Sequence, residues 1–188
     1  MKYFTILLGM ILLVGACKTE VVDKIDERNM EQGGYIRTVT PYPVVNSTFS
    51  VSKANMGGTK LELVAEAVTP DYGAMFASYD LSIAFVDATP ANGTKTTTAV
   101  ALKSLAASTF AKDAQTGYPR ATITVTGTEA LTATKLALTD ISAGDYFTIT
   151  GVMKLTNGKS YTASNTGVNI TGGAFYSSPF SYRLNVAN

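Results

Sequence analysis

Histidine and tryptophan are both absent from the 188 residues, and cysteine occurs once. Without histidine the chain lacks the commonest general base, the commonest metal ligand and any Ser-His or Cys-His nucleophile pair. Without tryptophan the best stacking platform for a sugar ring is missing, so ten Tyr and eight Phe make up the aromatic supply. Charge is scarce too: 15% of residues, against a usual ~25%. Basic and acidic side chains nearly cancel, at 15 and 14, which leaves no electrostatic footprint for nucleic acid. What is present is a hydrophobic fraction of 46%, enough for a real core and unlike a solvated, disordered chain. The rest is largely Thr, Ser, Asn and Gly, and threonine's branched Cβ suits the solvent face of a pleated strand.

The longest apolar run is also short. Lys2 precedes Tyr3-Phe4-Thr5-Ile6-Leu7-Leu8-Gly9-Met10-Ile11-Leu12-Leu13-Val14, which is followed by the small pair Gly15-Ala16. This is the charged, apolar and small-residue order of a signal peptide. It falls short of the ~20 residues that span a bilayer as a helix. The run Val14-Gly15-Ala16-Cys17 resembles a bacterial lipobox, which predicts cleavage after residue 16 and a diacylglycerol thioether on Cys17. Each buried methylene of such a lipid contributes ~0.8 kcal/mol, so several long chains anchor the protein firmly to a membrane. Lipid would consume the sole thiol and leave no disulfide or thiolate metal site. The charged stretch 17–32 reads as a tether, with a short helix as the alternative, and Lys18 after the cysteine leans toward the outer membrane by analogy with lipoprotein sorting.

From Gly33 to residue 188 the pattern changes to short alternating segments separated by Gly, Pro, Asn and Asp, the signature of one all-β domain. Strands are expected near Tyr35–Val39, Thr48–Val51, Lys60–Ala67, Tyr79–Phe85, Ala99–Leu105, Ala121–Thr126, Tyr146–Leu155, Ser160–Ala163 and Ser181–Val186. Their spacing points to an antiparallel sandwich of about seven to nine strands. Period-2 alternation should turn Leu81, Ile83 and Phe85 inward, and likewise Ile123 and Val125, with the intervening threonines in water. Asn157-Gly158 predicts a type I′ hairpin turn. Glu129–Leu138 carries apolar residues near helical spacing and could form a short crossing helix.

Chemistry-bearing constellations are few. Asp140 and Asp145 flank a glycine as in an oxygen-ligand calcium loop, but the further acidic or amide positions are missing, so a turn is expected. Asp71, Asp80, Asp87 and Asp113 could supply a glycosidase's two carboxylates, though turn residues flank all four and surface solvation is the better reading. Gly172–Phe180 lacks phosphate-loop spacing and reads as an irregular loop, with Phe175 and Phe180 able to close the core. Tyrosines at 35, 42, 72, 79, 118, 146, 161, 176 and 182 could stack on a glycan or anchor a protein partner. Tyr42, Tyr72 and Tyr118, beside Pro or Gly in expected loops, are the binding candidates. No catalytic, cofactor or metal residues are assigned.

Three segments carry a family resemblance: Gly33-Gly34-Tyr35-Ile36-Arg37-Thr38, Gly144-Asp145-Tyr146-Phe147 followed by Asn157-Gly158-Lys159, and Gly172-Gly173-Ala174-Phe175-Tyr176-Ser177-Ser178-Pro179-Phe180. Together they resemble the SusE-like surface lipoproteins of Bacteroidota, which accompany SusC/SusD-type outer-membrane uptake pairs. The resemblance implies an immunoglobulin-like β-sandwich on the cell surface, accessory to capture of a glycan or peptide nutrient and without enzymatic activity. The SusE and SusF proteins are longer and bind starch through platforms that include Trp, a residue this chain lacks. A structural or adhesive surface subunit and a carboxylate-based glycoside hydrolase are the alternatives.

Overall fold

A computed structural model describes residues 33–90, 93–171 and 180–188. The signal peptide, Cys17, the tether, Phe175 and Tyr176 lie outside the described residues. Gly33–Asn188 is a compact unit built as a β-sandwich of two sheets. The first sheet has the order β1 (Tyr35–Thr40), β3 (Lys60–Val68), β7 (Pro119–Thr126) and β6 (Ala111–Lys112). The second has the order β2 (Phe49–Ser52), β10 (Ser181–Ala187), β8 (Tyr146–Leu155), β4 (Phe76–Val86) and β5 (Val100–Ala106), with β9 (Ser160–Tyr161) on β8.

Alternation decides which side chains meet between the sheets. Leu61, Leu63, Ala65 and Ala67 of β3, with Ile123 and Val125 of β7, face Leu81, Ile83 and Phe85 of β4 and Phe147, Ile149 and Met153 of β8, all buried. Phe85 and Phe147 tilt against each other at 5.1 Å, and Phe76 meets Phe110 at 4.8 Å in the edge-on geometry that aromatic quadrupoles favour. Phe180 is buried and closes the core, as expected, with its ring edge-on to Tyr79 at 6.4 Å. Tyr79 is itself fully buried because Gly151 on the neighbouring strand makes room: a Cβ at that glycine would lie 2.0 Å from the Tyr79 hydroxyl.

Several expectations change in detail. All pairings are antiparallel except β2 with β10, which run parallel. A strand of two residues, β6, joins the nine expected. β4 begins at Phe76 rather than Tyr79, because its register with β8 shifts between Phe76 and Ser78 and both Phe76 and Tyr79 point inward. The turn after β8 is not type I′: among its residues only Gly158 has positive φ, at 83°. Gly158 N–H donates to Leu155 O at 3.0 Å, and Leu155 N–H donates to Lys159 O at 2.9 Å. That is the three-residue hairpin whose last position is left-handed.

The crossing helix α1 spans Gly127–Thr134, two residues earlier than its apolar spacing suggests. Thr126 caps it by accepting from Glu129 N–H, while the Glu129 carboxylate accepts from Thr126 N–H at 2.7 Å. This reciprocal pair satisfies two donors that a helix start leaves orphaned. Lys135, left-handed at φ 58°, ends the helix before Leu136.

Candidate functional site

The structure gives most of the acidic residues weighed from sequence structural partners, while Asp71 is exposed in the turn Pro70–Gly73. Asp145 is fully buried and accepts from Ala88 N–H, Thr89 N–H, Thr89 Oγ1 and Ser142 N–H at 2.7–3.0 Å, so it clamps two loops together. Asp140 caps Ala137 N–H at 2.8 Å and pairs with Lys95. The turn expected over 140–145 is therefore what forms, and among the described residues no cluster of three metal-ligating side chains exists. Asp87 accepts from Thr89 N–H and Lys95 N–H. Asp80 meets Lys154 Nζ at 2.7 Å and Ser104 Oγ at 2.5 Å. Partial burial pushes the Asp80 carboxyl upward, but bonds from Lys154, Ser104 and Ser78 outweigh it and hold it below the ordinary range.

Glu66 on β3 is, like Asp145, a fully buried charge, although it sits on the face away from the core. Strand register explains how it is tolerated, because β1 sets Arg37 opposite it and β7 sets Arg120 opposite it. Arg37 Nη2 donates to one carboxylate oxygen; Arg120 Nε at 2.6 Å and Thr116 Oγ1 at 2.8 Å donate to the other. Arg120 Nη1 also reaches Asp113 at 2.8 Å. Two guanidinium groups thus meet two carboxylates. The Asp113 carboxylate also accepts from Thr116 N–H at 2.9 Å and Gln115 N–H at 3.1 Å. These bonds, led by that of Thr116, hold its carboxyl below the usual range. This closed loop of bonds sets the turn that delivers Tyr118 to the start of β7.

Tyr118 belongs to a cleft of about 640 Å³ at one end of the sandwich. The start of β1, the end of β3, the turn before β7 and the segment after β9 meet there. Tyr35, Tyr118 and Tyr161 supply its rings, with Pro70 and Ile170 beside them. Tyr35 and Val68 are register partners on the same face as the Arg37–Glu66–Arg120 ladder. Ligand sites typically occupy about 300–1,000 Å³ with mostly apolar linings.

Tyr72 backs this wall. Its ring tilts against that of Tyr118 at 5.6 Å. It reaches that position through the turn Pro70-Asp71-Tyr72-Gly73, in which φ is 54° at Asp71, 53° at Tyr72 and 86° at Gly73. A left-handed backbone costs a side-chain-bearing residue roughly 1–2 kcal/mol. Gly73 is needed because a Cβ there would lie 2.3 Å from Pro119 Cδ. Two consecutive non-glycine residues in this region present an exposed tyrosine, a pattern associated with functional strain.

Of the three tyrosines singled out from sequence, the structure brings Tyr72 and Tyr118 together and leaves Tyr42 apart. Tyr42 is exposed beyond the far end of β1 from Tyr35 and does not line the cleft. Sequence reasoning names Tyr35 and Tyr161 among nine possible stacking rings without selecting them; the signal that singles out Tyr35 is its place directly after Gly33-Gly34, where small residues leave space beside a ring. Among the described residues no helix is long and apolar enough to cross a membrane. No protein-family model matches the chain, and no curated protein matches it.

Proposed function

We infer that this chain is a lipid-anchored binding module on the outer membrane, accessory to a SusC/SusD-type uptake pair, whose tyrosine cleft holds the ligand. The observation that carries this reading is the ring wall of Tyr35, Tyr118 and Tyr161, buttressed by Tyr72 from a strained turn. A binding role asks for a shaped, largely apolar recess with fixed rings and needs no titrating group, which suits a chain without histidine. A glycosidase would need two carboxylates free to move protons across a cleft. Of the four acids that could serve, Asp80, Asp87 and Asp113 are committed to structural partners, which leaves Asp71, exposed in its turn, without a second uncommitted carboxylate among them.

The test combines labelling with recovery of partners. Cells expressing the full-length chain are fed an alkyne-tagged palmitate, and the protein is then captured from detergent-solubilised membranes. Lipid label on the natural chain, no label on Cys17→Ala and co-recovery of a SusC/SusD-type transporter support the reading. Label retained on Cys17→Ala, or recovery of the lipoprotein alone, counts against it.

A further inference from the structure

We propose that Asn157-Gly158, in the turn between β8 and β9, is a self-modification site: the asparagine closes onto the glycine nitrogen as a succinimide, which water opens to isoaspartate and aspartate. Sequence comes first. Among the asparagines of the described residues, Asn157 alone precedes a glycine; the others precede Ser47, Met56, Thr166, Ile170 and Val186 or, at Asn188, end the sequence. A side chain on the following residue crowds the nitrogen that must attack, and glycine has none. Glycine also lets the backbone rotate to bring that nitrogen onto the asparagine side chain.

Local geometry adds what the dipeptide alone does not give. Asn157 and Gly158 are exposed, and a Cβ at Gly158 would meet nothing within 4 Å, so water and hydroxide reach the reacting atoms. Lys159 N–H donates to Asn157 Oδ1 at 3.1 Å. That bond folds the carboxamide back over the Asn157–Gly158 peptide. It also places a donor on the oxygen that turns negative when Cγ is attacked, as an oxyanion hole does. Asn165 and Asn185, by contrast, have both ends of their carboxamides tied to other parts of the protein. Asn165 accepts from Thr162 N–H and donates to Ser160 O, and Asn185 accepts from Arg183 Nε and donates to Asn46 O and Phe49 O. Before it can attack, Gly158 N–H must leave Leu155 O, to which it donates at 3.0 Å. β9 closes the hairpin with two residues only, Ser160 and Tyr161, and short exposed ends open at little cost.

The reaction needs only water and hydroxide. Gly158 nitrogen gives its proton to hydroxide and bonds to Asn157 Cγ; the Cγ–Nδ2 bond breaks, and Nδ2 takes a proton from water and leaves as ammonia. Water then opens the ring. Breaking the bond from Gly158 nitrogen to Cγ gives aspartate, and breaking the bond to the Asn157 main-chain carbonyl carbon gives isoaspartate. The sum is one water in and one ammonia out, with nothing oxidised or reduced. Isoaspartate carries the backbone through Cβ, one carbon longer, in the tight turn that leads to Tyr161, a residue of the cleft.

The test holds the full-length chain, purified in detergent, at neutral and mildly alkaline pH, with and without urea, and digests samples with trypsin at intervals. Without urea, the peptide Leu155–Lys159 should gain the mass increment of amide-to-acid conversion, faster at alkaline pH because the attacking nitrogen must lose its proton. Its rate should exceed that of the peptides holding Asn165 and Asn185 by roughly tenfold or more. Isoaspartate, scored with an isoaspartyl methyltransferase, should accompany aspartate, since direct hydrolysis yields aspartate alone. Gly158→Ala should slow the conversion roughly tenfold. Conversion in urea only would overturn the proposal by showing that the native turn protects Asn157. Aspartate without isoaspartate, or an unchanged rate in Gly158→Ala, would overturn it as well.

Discussion

Replacing Glu66 with glutamine removes one negative charge and almost no volume, so it isolates what the carboxylate does for the guanidinium groups on either side. Glu66 is fully buried, whereas the side chains of Arg37 and Arg120 are 33% and 22% exposed. Breaking a fully buried ion pair costs roughly 3–5 kcal/mol because the surviving charge is stranded. Water reaching both arginines screens part of that loss, and the amide can still accept one bond, so about 2–3 kcal/mol is expected. For a domain of this size that corresponds to roughly 4–12 °C in Tm. Urea unfolding followed by circular dichroism measures it, with Glu62→Gln as control, since Glu62 pairs with Lys60 at the exposed surface and should change stability by no more than ~0.5 kcal/mol. A loss below ~1 kcal/mol for Glu66→Gln would refute the claim that this ladder holds the first sheet's outer face.

Other perturbations follow from the same contacts. Tyr79 Oη is buried with no hydrogen-bond partner of ordinary geometry, so Tyr79→Phe should be neutral or stabilising by up to about 1 kcal/mol; a loss above ~1 kcal/mol in the urea melt would show that the hydroxyl is bonded. Thr126→Ala removes the cap of α1 and should cost about 1 kcal/mol, while Thr126→Ser should recover most of it. Stability should form a plateau in pH. Asp80, Asp113, Glu129 and Asp140 are held below their reference values of 3.8 to 4.5, so their contribution is present above about pH 4.5 and is lost as pH falls through the folded values. Burial pushes Tyr79 and Tyr182 above 10.0, so their contribution is present below about pH 10 and is lost as pH rises beyond it. With no histidine to titrate between, melts at pH 5 and pH 8 should agree within ~0.5 kcal/mol, and a larger difference would contradict this assignment of the titrating groups.

The strands were legible wherever one face is core and the other water. β8 matches its expected span of Tyr146–Leu155 because five inward positions alternate without interruption, Gly151 among them. β4 was cut short because the irregularity after Phe76 breaks the period that identifies a strand. The helix start was written in Thr126 and Glu129 as a capping pair, yet apolar spacing alone placed it later. Pairing of β2 with β10 was not legible, since it joins segments at opposite ends of the domain. Glu66 looks like any outward strand residue in sequence; only register brings Arg37 and Arg120 to it from 29 and 54 positions away. The cleft was half visible for the same reason. Tyr72 and Tyr118 stood out beside Pro and Gly, whereas Tyr35 and Tyr161 join them only through tertiary proximity.

The central claim concerns where a ligand sits, and the amide map tests it whichever probe binds. Titrating the ¹⁵N-labelled full-length chain in detergent with peptides and oligosaccharides in turn should move the amides of Gly33, Gly34 and Gly167 for whichever probe binds, and Tyr118→Ala should diminish those shifts. Shifts confined to Gly57, Gly58 and Gly127, which lie by the opposite end of β3, or shifts at the cleft that Tyr118→Ala leaves unchanged, would contradict the account.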